Sequence, residues 1–165
     1  MQIILLALIF LSFTALGGYI FLGYKNRRVF FENALSFCDH LAIEISFSKN
    51  IVLQVIDRYK QSYGRAFKEV LEGYSTLLYN KQDVTRDSID NIMWNRLKPF
   101  EKEIVLEFFY ELGRHGASEE NEKLANKKVQ FERIHEDAIK SQKREASIYL
   151  KICIILGIAA VILLI

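Results

Sequence analysis

The sequence predicts an all-α protein in which a bundle of about six helices lies between an N-terminal and a C-terminal transmembrane helix. Three observations support this fold class. Both ends of the chain are long uncharged apolar runs, apolar residues in the middle recur every three or four positions, and the single proline leaves little turn chemistry for a sheet. We therefore divide the chain into residues 1–24, 25–145 and 146–165.

The N-terminal segment has no charged residue between positions 2 and 24. A helix of this length crosses a hydrocarbon core of roughly 30 Å. A cleaved signal peptide would need a basic region before its apolar core, but only Met1 and Gln2 precede this one, whereas Lys25 follows it. The segment is therefore predicted to be a retained membrane anchor.

The first four helices of the bundle are indicated by apolar stripes at helical spacing. The four stripes are Phe30, Ala34, Phe37, Cys38, Leu41 and Ile45; Ile51, Val52, Val55, Ile56 and Tyr59; Phe67, Val70, Leu71, Tyr74, Leu77 and Leu78; and Ile89, Ile92, Met93 and Leu97. Asn50 is predicted to cap the second helix, Gly64 to separate the second from the third, and a residue within 83–85 to cap the fourth.

The fifth helix is predicted to begin at Pro99, because the first position of a helix does not need a backbone N–H. Its stripe is the cleanest in the sequence and consists of Phe100, Ile104, Val105, Phe108, Phe109 and Leu112. A sixth helix is predicted from Glu119 and carries Leu124, Phe131, Ile134, Ala138 and Ile139 inward. We expect it to run unbroken into the second membrane span.

The C-terminal run, residues 152–165, is uncharged but too short to span a membrane comfortably. Lys151 need not end the span, because its long stem can reach toward the headgroups, and Tyr149 suits the interface. The span is therefore predicted to cover residues 146–165.

The charge distribution predicts the orientation. Residues 25–31 and 140–151 each carry a net charge of +3, which leaves residues 32–139 with −4. By the positive-inside rule the central segment is cytoplasmic and both termini emerge on the far side of the membrane. The acidic balance of the central segment gives no support to a nucleic-acid partner.

The stretch "ELGRHGASEENEKL", which begins at residue 111, most resembles a functional loop. We interpret it as the corner between the fifth and sixth helices. Gly113 or Gly116 can take the left-handed conformation that ends a helix, Ser118 can cap the next helix, and the acids after it suit a helix N-terminus.

The sequence gives little support to a phosphate-binding, metal-binding or catalytic site. "GRHGAS" follows no strand and has no P-loop lysine, and His40, His115 and His135 fall in three separate helices or corners. Cys38 belongs to an apolar stripe and is interpreted as a buried structural thiol. We therefore predict no catalytic residue, no metal ligand and no cofactor.

Residues 99–122 are rich in acids, with seven Asp or Glu residues against two basic ones. Two interpretations remain open: a solvated helix face, or a docking surface for a basic partner. For the second interpretation, the candidate partner-binding residues are Glu107, Glu111, Arg114, His115, Glu119 and Glu120.

Four features together resemble a known family. They are a short N-terminal span followed by Lys and Arg, "LAIEISF" at 41–47, "LEFFYELGRHG" at 106–116, and the closing "SIYLKICIILGIAAVILLI". The chain resembles the stage III sporulation protein AB family of endospore-forming bacteria. Where that family usually has Ser and Asp in the corner, this chain has His115 and Gly116.

The resemblance implies a cytoplasmic bundle related to type II secretion F platform proteins. It implies a non-enzymatic role in the channel complex between mother cell and forespore, in the mother-cell membrane surrounding the forespore. The implied partners are a cytoplasmic secretion-type ATPase (stage III sporulation protein AA) and other channel subunits, with further copies of the chain as another candidate. The alternatives are a short platform subunit of a general type II secretion or type IV pilus system, a membrane-anchored enzyme using His115, and a membrane-tethered regulator.

Overall fold

The computed structural model describes residues 2–43, 49–80, 84–114 and 117–164. Within these ranges the chain is mostly helical and contains no strand, which confirms the all-α fold class. The elements are α1 (Gln2–Ile43), α2 (Lys49–Tyr59), a 3-10 turn (Lys60–Ser62), α3 (Arg65–Tyr79), α4 (Arg86–Asp90), α5 (Pro99–Glu111), α6 (Ala117–Ser141), a π-helical turn (Gln142–Ala146) and α7 (Ser147–Leu164).

The chain forms two compact units. The terminal unit comprises Met1–Arg28 and Glu136–Ile165, and the central unit comprises Val29–His135. By length and composition, two helical segments could cross a membrane, Ile4–Ile43 and Glu119–Leu164. The second of these confirms that the sixth helix continues into the C-terminal apolar run, although through a π-helical turn that the sequence did not indicate.

The central unit has one apolar core, to which every predicted stripe contributes. Phe37 lies near its centre, with its ring centroid 5.9 Å from Phe67 and 6.3 Å from both Phe108 and Phe109. Because these rings come from α1, α3 and α5, the aromatic cluster joins three elements that are distant in sequence. Aromatic pairs at this spacing stabilise a core beyond the area they bury.

The prediction for one residue of the fifth stripe, Phe100, is wrong. Phe100 is 53% exposed, whereas the neighbouring Glu101 is fully buried. The first turn of a helix has backbone N–H groups without helical acceptors, and the Glu101 carboxylate accepts one from Lys98 N at 3.0 Å. Capping at the start of α5 therefore turns the carboxylate inward and leaves the phenyl ring outside.

The predicted fourth helix is also wrong in extent, since α4 ends at Asp90. The apolar residues after it lie in tight turns, in which Met93 N donates to Asp90 O at 3.2 Å and Leu97 N donates to Trp94 O at 3.3 Å. Met93 and Leu97 are still buried. Three-residue turns thus direct the predicted apolar side chains inward without a continuing helix.

The helix starts agree with the sequence in most cases. Thr85 caps α4 in a reciprocal capping box with Ser88, Gly64 lies at the N-cap of α3, and Pro99 is in the first turn of α5. The expected N-cap Asn50 lies inside α2, which begins at Lys49, two residues before the start that an N-cap at position 50 implies. A shift of two residues is within the ordinary uncertainty of a helix end.

In the terminal unit, α1 and α7 pack against each other as an antiparallel pair. A Cβ atom added at Gly157 would lie 3.2 Å from Phe13 Cβ, and one added at Gly17 would lie 3.0 Å from Cys153 Cβ. Both glycines therefore lie at a close approach of the two helices that an added side chain would crowd. The ring of Tyr24 stacks on that of Tyr149, 6.4 Å away.

Candidate partner-binding face

The stretch around residue 113 forms a corner between α5 and α6, as predicted. Gly113 has φ of 76°, in the left-handed region, and Arg114 N donates to Glu111 O at 3.2 Å. Glycine takes this conformation without the steric cost that a Cβ atom would add. His115, Gly116 and the side chain of Ser118 lie outside the described residues, so their predicted roles stay predictions.

Glu107 joins the two helices of the corner. Its carboxylate forms an ion pair with Lys127, twenty residues further along the chain on α6. The Lys127 side chain is only 10% exposed and that of Glu107 is 40% exposed. Truncating Glu107 would leave a largely buried ammonium group without this partner, so Glu107 has a structural role whatever else it contacts.

Glu120 does not lie on the surface. It is 4% exposed, and together with Glu111 it lines a cavity of about 10 Å³ beneath the corner. The other lining residues are Phe108, Leu112, Lys123, Leu124 and Lys127. A cavity of this size is at the lower limit for one water molecule. Glu120 is therefore placed to contribute to the corner's interior and not to a partner's contact surface.

Arg114 connects the corner to the segment before α4. Its guanidinium carbon lies 3.9 Å from the centroid of the Tyr110 ring, and Nη2 donates to the Val84 carbonyl at 2.6 Å. Arg86 also lies over Tyr110, at 5.5 Å, and forms an ion pair with Glu103 at 2.8 Å. Arg114 is exposed, but its charge is already engaged within the central unit.

Glu119 is exposed and forms an ion pair with Lys123, one turn further along α6, at 3.2 Å. Among the described residues of this region, Glu111 and Glu122 form no ion pair. The acidic excess that the sequence indicated is thus largely neutralised within the protein, and the remainder is concentrated at these two residues. Glu122 was counted in the acidic excess but was not among the predicted contacts.

We use the name acidic corner for the surface formed by Glu111, Glu119 and Glu122. All three lie at or just beyond the turn between α5 and α6. Glu119 and Glu122 are exposed and Glu111 is half-buried, and carboxylates at a surface attract a basic partner. Glu111 and Glu119 belong to the predicted docking surface, and Glu122 is an addition to it.

A groove on another face of the central unit was missed by the sequence analysis. It holds about 270 Å³ and is lined by Ala66, Glu69, Val70, Ile92, Met93, Trp94 and Asn95. Trp94, the only tryptophan, is half-buried and its ring stacks on Phe30 at 5.5 Å. The groove forms because α4 ends early and residues 92–95 turn against α3, which a helical reading of this segment could not indicate.

Two side chains that could be reactive, Cys38 and His40, are held by packing contacts. Cys38 is 1% exposed, and burial raises the pKa of its thiol to about 12. His40 stacks on Tyr59 at 3.7 Å, and its Nδ1 lies 2.7 Å from the Tyr63 hydroxyl. Across the described ranges, no group of three or more His, Cys, Asp and Glu side chains is arranged to hold a metal ion.

The Cys38 thiol should therefore resist alkylation in the folded protein. In a Cys153→Ala background, we expect iodoacetamide in mildly alkaline buffer to react about 10³-fold more slowly than with an ordinary thiol, because the thiolate fraction falls with rising pKa. Denaturant should restore the normal rate. The rate is measured by mass spectrometry of timed samples, and fast labelling of the native protein would contradict the buried placement.

Comparison with known proteins identifies the family. The family model for stage III sporulation protein AB matches residues 2–165, and the chain therefore belongs to that family. This confirms the resemblance carried by the terminal runs and by the residues of the corner. No curated protein and no solved structure gives a significant match.

Proposed function

We propose that this member of the sporulation family is a non-enzymatic membrane platform that docks a cytoplasmic secretion-type ATPase, stage III sporulation protein AA. The observation that carries the proposal is the architecture: a helical central unit lies in the sequence between two apolar helices long enough to cross a membrane. In a sporulation family, this arrangement suits a subunit of the channel complex between mother cell and forespore. General secretion and pilus platforms share the layout but not the family.

The proposed membrane placement follows from charge. Both apolar helices are flanked by basic residues toward the central unit in sequence. By the positive-inside rule the central unit then lies in the mother-cell cytoplasm, with both termini across the membrane that surrounds the forespore. This orientation presents the central unit to soluble partners.

A non-enzymatic role agrees with how the reactive side chains are used. The Cys38 thiol is buried with a raised pKa, and the His40 imidazole is stacked and bonded to tyrosines. Burial makes the Cys38 thiol a poor nucleophile, and the contacts of the His40 ring are those of a packed side chain. Energy for any movement would come from the ATPase, and the platform would transmit it to other subunits of the channel.

The acidic corner is the proposed contact for a basic surface of the ATPase. Glu107 and Arg114 bond to other elements of the central unit and Glu120 is buried, so Glu111 and Glu119 carry the proposal, together with Glu122. The pair of Glu119 with Lys123 lies within one helix and leaves the carboxylate at the surface. His115 lies in the same turn in sequence and stays a predicted contact. Complementary charge at an exposed surface acts mainly through the association rate.

Charge reversal at the acidic corner should weaken binding of the ATPase. The test is binding of the purified full-length protein in detergent to purified stage III sporulation protein AA, with the double variant Glu111→Lys and Glu119→Lys. We expect an affinity loss of about tenfold, because each exposed charge contributes up to about 1 kcal/mol. The difference should shrink at high salt.

The charge-matched control is Glu132→Lys with Glu136→Lys, a double charge reversal at exposed positions of α6 outside the acidic corner. It should bind the ATPase like the wild type. Circular dichroism should be the same for all three proteins. Equal binding by the double variant would remove the acidic corner as the contact, and a fluorescence change of Trp94 on ATPase addition would then direct attention to the groove. Absence of any binding by the wild type would argue against the platform function itself.

A further inference from the structure

Four basic side chains of the terminal unit form a single outward stripe. They are Lys140, Lys143, Arg144 and Lys151. The last three follow Lys140 by three, four and eleven residues, and this spacing places all four on one side of a helical segment. All four are exposed. The buried residues of the same segment take the opposite side and include Ala138, Ser141, Ala146 and Cys153. We call the four basic residues the basic stripe.

The basic stripe lies where the apolar parts of both helices end. On α1, the Tyr24 hydroxyl donates to Glu145 Oε2 at 3.1 Å, and Arg27 Nη2 donates to Asp137 Oδ2 at 2.7 Å. These two contacts set residues 24–27 beside residues 137–145 in the antiparallel pair. The exposed Lys25 of α1 therefore lies at the height of the basic stripe and adds to its charge.

Three acids, Glu136, Asp137 and Glu145, lie near the stripe in sequence, and two of them bond to residues of α1. Asp137 is paired with Arg27, and Glu145 accepts the hydrogen bond from Tyr24. Within the described part of the terminal unit, none of the four stripe side chains forms an ion pair. The π-helical turn Gln142–Ala146 carries two of the stripe's charges, and such turns occur often at functional positions. The stripe is thus a cluster of positive charge for which no ion-pair partner is present among the described residues.

We infer that the basic stripe binds the phosphate headgroups of anionic phospholipids. Lys and Arg hold phosphate by charge-assisted hydrogen bonds, which Arg144 can make in bidentate form. The stacked pair of Tyr24 and Tyr149 supplies amphipathic rings of the type that lie at the headgroup level. Lys151, deepest in the apolar run, has a stem long enough to reach the same level.

Each Lys or Arg near the membrane surface raises the preference for anionic over zwitterionic lipid by about fivefold at most. The stripe should therefore enrich anionic lipid around the protein against a zwitterionic background. This inference rests on the membrane placement proposed above, but it is independent of ATPase docking. It gives the membrane partner a chemical class, anionic phospholipid, and gives the contact a defined face.

The experiment reconstitutes full-length protein into vesicles of phosphatidylcholine alone or of phosphatidylcholine mixed with phosphatidylglycerol. After gentle extraction, native mass spectrometry counts the phosphatidylglycerol and phosphatidylcholine molecules retained. The stripe variant is Lys140→Gln with Lys143→Gln and Arg144→Gln. The control removes the same charge from exposed positions of the central unit, as Arg58→Gln with Arg96→Gln and Arg133→Gln.

We expect the wild type and the control to retain phosphatidylglycerol over phosphatidylcholine by about fivefold, and the stripe variant to lose most of this preference. The preference should fall as salt rises, because exposed charges are screened. Equal retention of both lipids by the wild type, or an unchanged preference in the stripe variant, would overturn the inference. Failure of the wild type to insert into phosphatidylcholine vesicles would instead contradict the membrane placement, and with it the inference.

Discussion

We expect Phe37→Ala to lower the free energy of unfolding of the central unit by about 3–5 kcal/mol, the range for removing a buried phenyl ring. Phe37 is fully buried and its ring contacts Phe67, Phe108 and Phe109. Those rings belong to α3 and α5, so the cavity left by alanine would separate elements that cannot easily close over it. A loss of this size is a large part of the stability of an ordinary domain.

The measurement is urea unfolding of the full-length protein in mild detergent, followed by the fluorescence of Trp94. Trp94 stacks on Phe30 within the same core, so its signal reports loss of this packing. Phe100→Ala is the matched control, since it deletes the same side chain from an exposed position and should change the unfolding midpoint little. Similar midpoints for the two variants would show that Phe37 is not central to the core.

The difference in burial between Phe37 and Phe100 shows what could be predicted from the sequence. Both occupy apolar positions at helical spacing, and periodicity alone gave them the same role. The distinction depends on the first turn of α5, where the Glu101 carboxylate satisfies the Lys98 N–H and enters the interior. A carboxylate is buried when a hydrogen bond offsets its desolvation, and spacing does not reveal where that occurs.

The candidate site shows a similar limit. Composition identified the acidic excess near the corner, and the glycine at position 113 identified the turn. The sequence could not identify the partner of Glu107, because Lys127 lies on another helix. It also could not identify the burial of Glu120. Charge counts indicate what a region contains, whereas ion pairs between helices decide how much of that charge a partner would meet.

The basic stripe is a case in which the sequence already contained the signal. The positions of Lys140, Lys143, Arg144 and Lys151 share one helical face, but counting net charge used them only to assign orientation. The structure adds that this face points away from α1. It also shows that Tyr24 bonds to Glu145 and Arg27 to Asp137. Reading charge by helical position as well as by sum would have indicated the stripe.

Gly17→Leu should separate the helix pair of the terminal unit, while Gly18→Leu should leave it intact. A Cβ atom at position 17 would lie 3.0 Å from Cys153 Cβ and 3.1 Å from Leu150 Cδ1, whereas one at position 18 would have nothing within 4 Å. The first substitution forces α1 away from α7. We expect it to destabilise the pair by about 2–3 kcal/mol, as overpacking of a close contact does.

Adjacent glycines make this comparison unusually clean. Both variants gain the same apolar side chain, and both gain the same helix propensity over glycine, about 1 kcal/mol, so these contributions cancel between them. The difference that remains is the packing of α1 on α7.

This packing can be followed by energy transfer between dyes attached to the two ends of the chain, while SDS is added to mild micelles. An antiparallel pair holds the two chain ends on the same side, so separation of the helices lowers the energy transfer. If the two variants separate at the same SDS fraction, the close approach at Gly17 does not hold the pair together. If Gly17→Leu alone separates early, the close approach at Gly17 makes the terminal helices a specific pair.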